Sequence, residues 1–187
     1  MNSSKITSSI LLPVSIKAVA IIVDGNDEKN NLSHLRCHKI ELKKNHNDNG
    51  NTPRSIGTNY AINRNFDFIM YLDADNWFLN NHVNSLLNLT KEEVLIACSY
   101  RSFYTVDEKK MSYLEDDDCL NKKFVDTSCY LIPRKFFKLI NIWHLIPKET
   151  SQWCDRIFFY NILKNKCPIK FSGMHTVAFR TLYEVHY

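Results

Sequence analysis

Apolar residues in this chain fall in short continuous runs broken by polar loops, not in long helical stripes. The run at 18–23, Ala-Val-Ala-Ile-Ile-Val, is rich in β-branched residues and stops at Asp24-Gly25-Asn26-Asp27. This predicts a buried parallel strand that empties into a loop at its carboxyl end. His38 to Leu42 predicts a second short strand, which ends in the polar stretch Asn45-His46-Asn47-Asp48-Asn49-Gly50-Asn51, a sequence with almost no helix or strand propensity. Thr52-Pro53 fits a helix start, with Thr52 as the cap, Pro53 in the first turn, and Ile56, Tyr60 and Ala61 sharing one side. Phe66 to Leu72 predicts another apolar strand, and it delivers the chain directly to Asp73. A helix capped by Asn80 or Asn81 and running to Leu89, then a strand over Glu93 to Tyr100, continue the alternation.

Beyond Tyr104 the pattern weakens through Glu115-Asp116-Asp117-Asp118, which reads as a solvated loop. Asp126 to Ile132 predicts a further strand, and Pro133 to Ile140 a short helix with Phe136, Phe137 and Ile140 inward. Asp155 to Leu163 predicts another helix, and Thr176 to Tyr187 has β character. Strands alternating with helices imply an α/β sheet that takes its ligands at the strand ends.

The 187 residues are the size of one domain, and a 44% hydrophobic content supplies apolar surface for one core. A net charge of +4 without a long Lys/Arg block argues against nucleic acid as partner and leaves anionic small ligands compatible. The six cysteines form no Cys-x-x-Cys pair, so reduced thiols in a cytoplasmic protein are the simpler reading. Residues 5–23 loosely imitate a signal peptide, but Lys17 splits the apolar run and no small-residue cleavage site follows. No stretch reaches the roughly 18 consecutive apolar residues of a membrane span.

The chemistry centres on Tyr71-Leu72-Asp73-Ala74-Asp75-Asn76. An Asp-x-Asp pair alone is weak, because any acidic loop supplies one. Here the pair follows a hydrophobic strand without a polar spacer, which sets both carboxylates at the rim of the sheet. Two adjacent anions repel unless a cation or proton compensates, and an oxygen-only donor set favours Mg²⁺ or Mn²⁺.

Several segments together resemble a known family. Val23-Asp24-Gly25, then Gly50 with Pro53-Arg54-Ser55-Ile56-Gly57, then Phe68 through Trp77 look like the nucleotide-binding half of a family 2 type glycosyltransferase of the GT-A fold. Asp126 through Phe137, and Trp153-Cys154-Asp155-Arg156 after it, are similar to the acceptor-side half. The resemblance covers about residues 18–187 and implies a single GT-A-like domain, with a nucleotide-binding half over about 18–100 and an acceptor-side half over about 101–187. It implies a mixed sheet flanked by helices. It also implies a metal-dependent, inverting transfer of a sugar from a nucleotide-sugar donor to a saccharide or lipid-linked acceptor, in the cytoplasm or peripherally at the inner face of the membrane.

Carried over residue by residue, the resemblance implies that Asp24 meets the nucleobase and Arg54 lies near the nucleotide. Asp73 contacts the ribose or the metal, and Asp75 ligates the metal that bridges the diphosphate. A metal there neutralises charge as the glycosidic bond breaks. The acceptor hydroxyl also needs a base. Asp155, at the first turn of an apolar helical run, is the leading candidate, and Glu149 is the reserve. His186, and less strongly His175, are candidates to complete the metal sphere, as in some relatives. Trp77, Trp143 and Trp153 are candidates for stacking on sugar, against the default of core packing.

The chain departs from the family at its start. A strand, a helix and a second strand normally precede the Asp-Gly turn, whereas here only Ser15, Ile16 and Lys17 separate Ile10–Val14, which looks like the first strand, from the next one. A parallel crossover needs about a dozen residues, so residues 1–16 read as a replaced leader or the helix is deleted. That shortening motivates a competing reading as a sugar-nucleotide binding or interaction module without turnover. A nucleotidyltransferase is a third reading. It is disfavoured because glycines at 25, 50, 57 and 173 form no triphosphate loop.

Overall fold

The structure is a computed structural model that describes residues 20–24, 37–74, 76–105, 112–115 and 124–180. The expected strand at Ile10–Val14 and the remainder of the amino-terminal stretch lie outside the described residues, as do Asp116–Asp118 and the end of the chain from 181.

Two sheets are present among the described residues. Strands β1 (Ala20–Asp24) and β2 (Cys37–Glu41) pair in parallel, Ala20 opposite Cys37 and Asp24 opposite Glu41. Helix α1 (Asn51–Asn63) follows and packs against β1. The larger sheet holds β3 (Phe68–Ile69), β4 (Asn76–Phe78), β5 (Ile96–Thr105), β6 (Ser112–Glu115), β7 (Tyr130–Pro133) and β8 (Ile169–Arg180). Its order is β3-β7-β5-β8-β4, with β6 joining β5 beyond β7. The β5–β8 pair is parallel and every other pair is antiparallel, so the sheet is mixed.

The side-chain period of two along the central strands divides the core. Ile96 and Cys98 of β5, with Tyr130 and Ile132 of β7, face a layer built from Trp143, Phe158, Ile162 and Ala61. Ala97 and Leu131, one residue out of step, face Leu86 of helix α2 (His82–Leu89). Helices α3 (Phe137–Ile140) and α4 (Cys154–Lys164) therefore cover one face of the sheet together with α1, and α2 covers the other. Stacking of the Trp143 and Phe158 rings at 4.3 Å and 15° anchors the first layer. The class is α/β, with a mixed sheet between helices.

Several local expectations are corrected. The start of α1 is capped by Asp48 and not by Thr52. Asp48 Oδ2 accepts from the Thr52 amide at 2.9 Å and from its hydroxyl at 2.6 Å, while the N-cap position itself is Gly50 at φ 80°. The buried side of α1 is Asn51, Ser55, Thr58 and Ala61, so of the apolar side Ile56, Tyr60 and Ala61 only Ala61 turns fully inward. The strand expected over Phe66–Leu72 pairs only at Phe68 and Ile69, opposite Pro133 and Ile132. Its partner β7 is short because the side chain of Asp126 accepts the Ser128 amide and winds residues 127–129 into a 3₁₀ turn before the strand begins. Strand β8 starts at Ile169, earlier than the β character from Thr176 suggested, and carries extra residues between the partners of Cys98 and Arg101, with Gly173 at φ +70° in the bulge. Phe136, Phe137 and Ile140 are buried as expected. Cys98, Cys129, Cys154 and Cys167 are free thiols, and no helix among the described residues is long and apolar enough to cross a membrane.

Candidate functional site

The loop after β2, the segment after β3 and the start of α4 meet at one rim, and Arg54 joins them. Arg54 sits in the first turns of α1. One arm of its guanidinium, Nη1, donates to the Asn49 carbonyl at 2.7 Å and lies 3.7 Å from Cys154 Sγ, while Nη2 pairs with Asp73 Oδ1. The guanidinium also lies over the buried Trp143 ring, 5.2 Å from its centroid. Gly50 is required beside it. Its φ of +80° is left-handed, and a Cβ there would stand 3.4 Å from the guanidinium. Burial lowers the pKa of Arg54, but the Asp73 charge and hydrogen bond, with Cys154 and Asp126, more than offset this and leave it raised. The group is thus a fixed cation. Its side chain is only 10% exposed whereas that of Asp73 is 37% exposed, so the carboxylate opens outward from a buried positive charge.

The turn after Asp73 is held from two directions. The Asn76 amide donates to the Asp73 carbonyl at 3.1 Å. Ser128 Oγ accepts from Asn76 Nδ2 at 2.9 Å and from the Asp73 amide at 3.4 Å, which ties the turn to the 3₁₀ segment before β7. Behind it, the Tyr71 hydroxyl is bonded to Thr58 Oγ1 at 2.7 Å and accepts from Trp143 Nε1 at 3.0 Å. Burial raises the Tyr71 phenol, so it stays neutral as a structural node.

Asp155 lies in the first turn of α4, next to Cys154. Its Oδ1 accepts from the Arg156 amide at 2.7 Å, and the Arg156 guanidinium is 3.5 Å away. Burial raises the Asp155 carboxyl above the usual carboxylate range. Arg156 opposes this, the neighbouring Asp126 charge adds to it, and Arg101 opposes it. A carboxylate of increased basicity suits proton transfer. Asp126 pairs with Arg101 at 2.6 Å with both side chains nearly buried.

An open cavity of about 590 Å³ lies between residues 45–50, Pro53 and Ala74, the residue after Asp73. His46 lines it, and its Nδ1 is buried without a hydrogen-bond partner.

Of the residues expected at the site, Arg54 and Asp73 are paired directly, and Arg54 also contacts Cys154, the residue before Asp155, whose own carboxylate contacts Arg156. Asp24 closes β1 opposite Glu41, and its side chain lies outside what is described. Asp75 and His186 also lie outside the described residues. His175 is engaged elsewhere, with Nδ1 2.9 Å from the Arg101 carbonyl and its ring against Tyr100. Glu149 is exposed in a 3₁₀ turn (Lys148–Trp153). Trp143 is core and is removed as a sugar platform, whereas Trp153 is 48% exposed. Among the described residues no three His, Cys, Asp or Glu side chains gather into a metal set. Of the expected ligands only Asp73 and His175 are described; His175 is engaged elsewhere and a buried arginine already shares the charge of Asp73, so the fit of a cation rests on what Asp75 adds.

Asp126, Ser128 and Arg101 were not singled out from the sequence. Asp126-Thr127-Ser128 carries a signal for the first two, since Asp followed two residues later by Ser is the pattern of a side-chain-capped turn. Arg101 stands among the apolar and aromatic residues of a strand, which demands a buried counter-ion without saying which one. The chain matches no protein-family model and no curated protein.

Proposed function

We propose that the chain is a GT-A-type glycosyltransferase that moves a sugar from a nucleotide-sugar donor to a saccharide or lipid-linked acceptor. The observation that carries this reading is Arg54, whose one guanidinium touches Asp73 at the end of β3 and Cys154 beside Asp155. The buried cation thereby holds the donor-side carboxylate and reaches the residue before the candidate base. In this reading Arg54 orients Asp73 toward the donor and offers positive charge near the diphosphate. The acceptor hydroxyl attacks the anomeric carbon, the bond from that carbon to the diphosphate oxygen breaks with its electron pair, and a nucleoside diphosphate leaves. Asp155 takes the hydroxyl proton on Oδ2, since Oδ1 is engaged by the Arg156 amide. Asp73 and Asp75 would hold Mg²⁺ or Mn²⁺, which when bound offsets the charge on the leaving diphosphate.

The test is nucleoside diphosphate release from a panel of nucleotide sugars with Mn²⁺, with and without acceptors. Asp155→Asn is expected to lower turnover about 10²–10⁴-fold, and Asp75→Asn to weaken it and its dependence on Mn²⁺. Turnover indifferent to Asp155→Asn removes the assigned base. Donor binding by calorimetry without release from any donor assigns the chain instead to a sugar-nucleotide binding module.

A further inference from the structure

Three arginines stand around this rim, and one of them is built differently. Arg54 and Arg101 each meet a carboxylate in a close pair and are nearly buried. The side chain of Arg156 is 42% exposed, and its carboxylate contact, with Asp155, is at 3.5 Å. Two aromatic rings flank it, with its guanidinium carbon 4.8 Å from the centroid of Trp153 and 4.7 Å from that of Phe124. Phe124 is core at 4% exposure, while Trp153 is 48% exposed. The turn that presents Trp153 is itself fixed, because Ser151 Oγ donates to the Lys148 carbonyl at 2.7 Å and accepts from Asn49 Nδ2 at 2.9 Å.

Aromatic flanks hold a guanidinium in place by its faces and leave the in-plane N–H donors turned away from Asp155 to meet the paired oxygens of a phosphate or carboxylate. An exposed indole beside it offers an apolar surface to the C–H face of a sugar ring. Both groups adjoin Asp155, in the next turn of chain.

We propose that Trp153 and Arg156 form a seat for a sugar bearing an oxyanion, with the ring on Trp153 and the phosphate or carboxylate on Arg156. Calling that sugar the acceptor rests on the glycosyltransferase reading; its binding does not. The seat sets the substrate class of the acceptor as anionic and brings its hydroxyls beside Asp155.

Calorimetric titration of the full chain with glucose 1-phosphate, methyl glucuronide, glucose and inorganic phosphate tests the seat. Both anionic sugars are expected to bind at least about tenfold more tightly than glucose or phosphate alone. Arg156→Gln should abolish that advantage, Arg156→Lys should keep part of it through charge without the planar fork, and Trp153→Ala should weaken every sugar but not inorganic phosphate. A preference for glucose 1-phosphate alone, with the same Arg156 dependence, upholds the seat and narrows the oxyanion to phosphate. Equal binding of glucose and the anionic sugars, or an advantage that survives both Arg156 substitutions, overturns the proposal. The two readings fail separately. Arg156-dependent binding with no donor turnover sinks the glycosyltransferase and keeps the seat, whereas turnover onto neutral acceptors without anionic preference sinks the seat and keeps the enzyme.

Discussion

Lowering the pH should destabilise this protein through His82, and the size of the effect follows from its surroundings. His82 opens α2 and is 1% exposed. Nδ1 lies 2.7 Å from Thr176 Oγ1 on β8, the ring stacks on Phe78 of β4 at 4.1 Å, and Nε2 is buried without a partner. Burial lowers its pKa from 6.5 to about 4. The unfolded chain accepts a proton on this residue near pH 6.5 while the folded chain resists until about 4. The neutral ring therefore contributes its full stability above pH 6.5, and this is lost progressively as the pH falls toward 4. That separation corresponds to on the order of 3 kcal/mol, and to roughly 2.5 kcal/mol by pH 4.5, a large part of the roughly 5–15 kcal/mol that holds a domain together. Urea unfolding at pH 8, 6, 5 and 4.5 measures it, with His82→Asn as the reference. Asn retains a polar atom near the position of Nδ1 but does not titrate. The variant is expected to be less stable at pH 8 because it loses the Phe78 stack, and the gap to wild type should close by roughly 2.5 kcal/mol at pH 4.5. A wild-type-to-variant difference that stays constant from pH 8 to 4.5 would refute the argument. The effect reaches the site, because β4 begins at Asn76, directly after the Asp73 turn, and pairs with β8.

Arg54→Gln should destabilise the fold by about 1–3 kcal/mol in urea unfolding, below the roughly 3–5 kcal/mol of a fully buried pair, since Asp73 is more than a third exposed and partly screened. Gly50→Ala should cost about 1–2 kcal/mol through its left-handed backbone, and a variant as stable as wild type would contradict that geometry. Phe158→Ala removes the ring stacked on Trp143 and should cost about 3–5 kcal/mol by thermal or chemical unfolding. If Asp155 is the base, it must be deprotonated to act. Turnover should then rise with pH through an apparent pKa above the ordinary carboxylate value, and Asp155→Asn should remove that limb of the profile.

Elements whose signal lies within a few neighbouring residues were legible along the chain. The apolar run that became β1, the short strand β2 beside its polar loop, the inward Phe136, Phe137 and Ile140, and the helix beginning beside Asp155 all follow from local pattern. Where the reading erred, a distant partner decided. Hydrophobicity favoured Ile56 and Tyr60 as the inner side of α1, yet Thr58 turned inward to bond Tyr71, a residue on another element. The apolar run ending at Leu72 pairs with β7 only at Phe68 and Ile69, a register set by the partner strand and not by the run's own residues.

The same division holds at the site. That Asp73 closes an apolar run, that Asp155 begins a helix and that an arginine opens α1 could be read before any fold was known, because each is a matter of spacing along the chain. Tertiary structure alone decided that Arg54 pairs with Asp73 and reaches Cys154, that Asp126 answers Arg101, and that Trp143 is core while Trp153 is open. The physical reason is that buried charges must be compensated and large rings must be packed by whatever the fold brings near them. Nothing in the local order of residues names those partners; the parallel pairing of β5 with β8 is what carries Arg101 and His175 into contact from opposite parts of the chain.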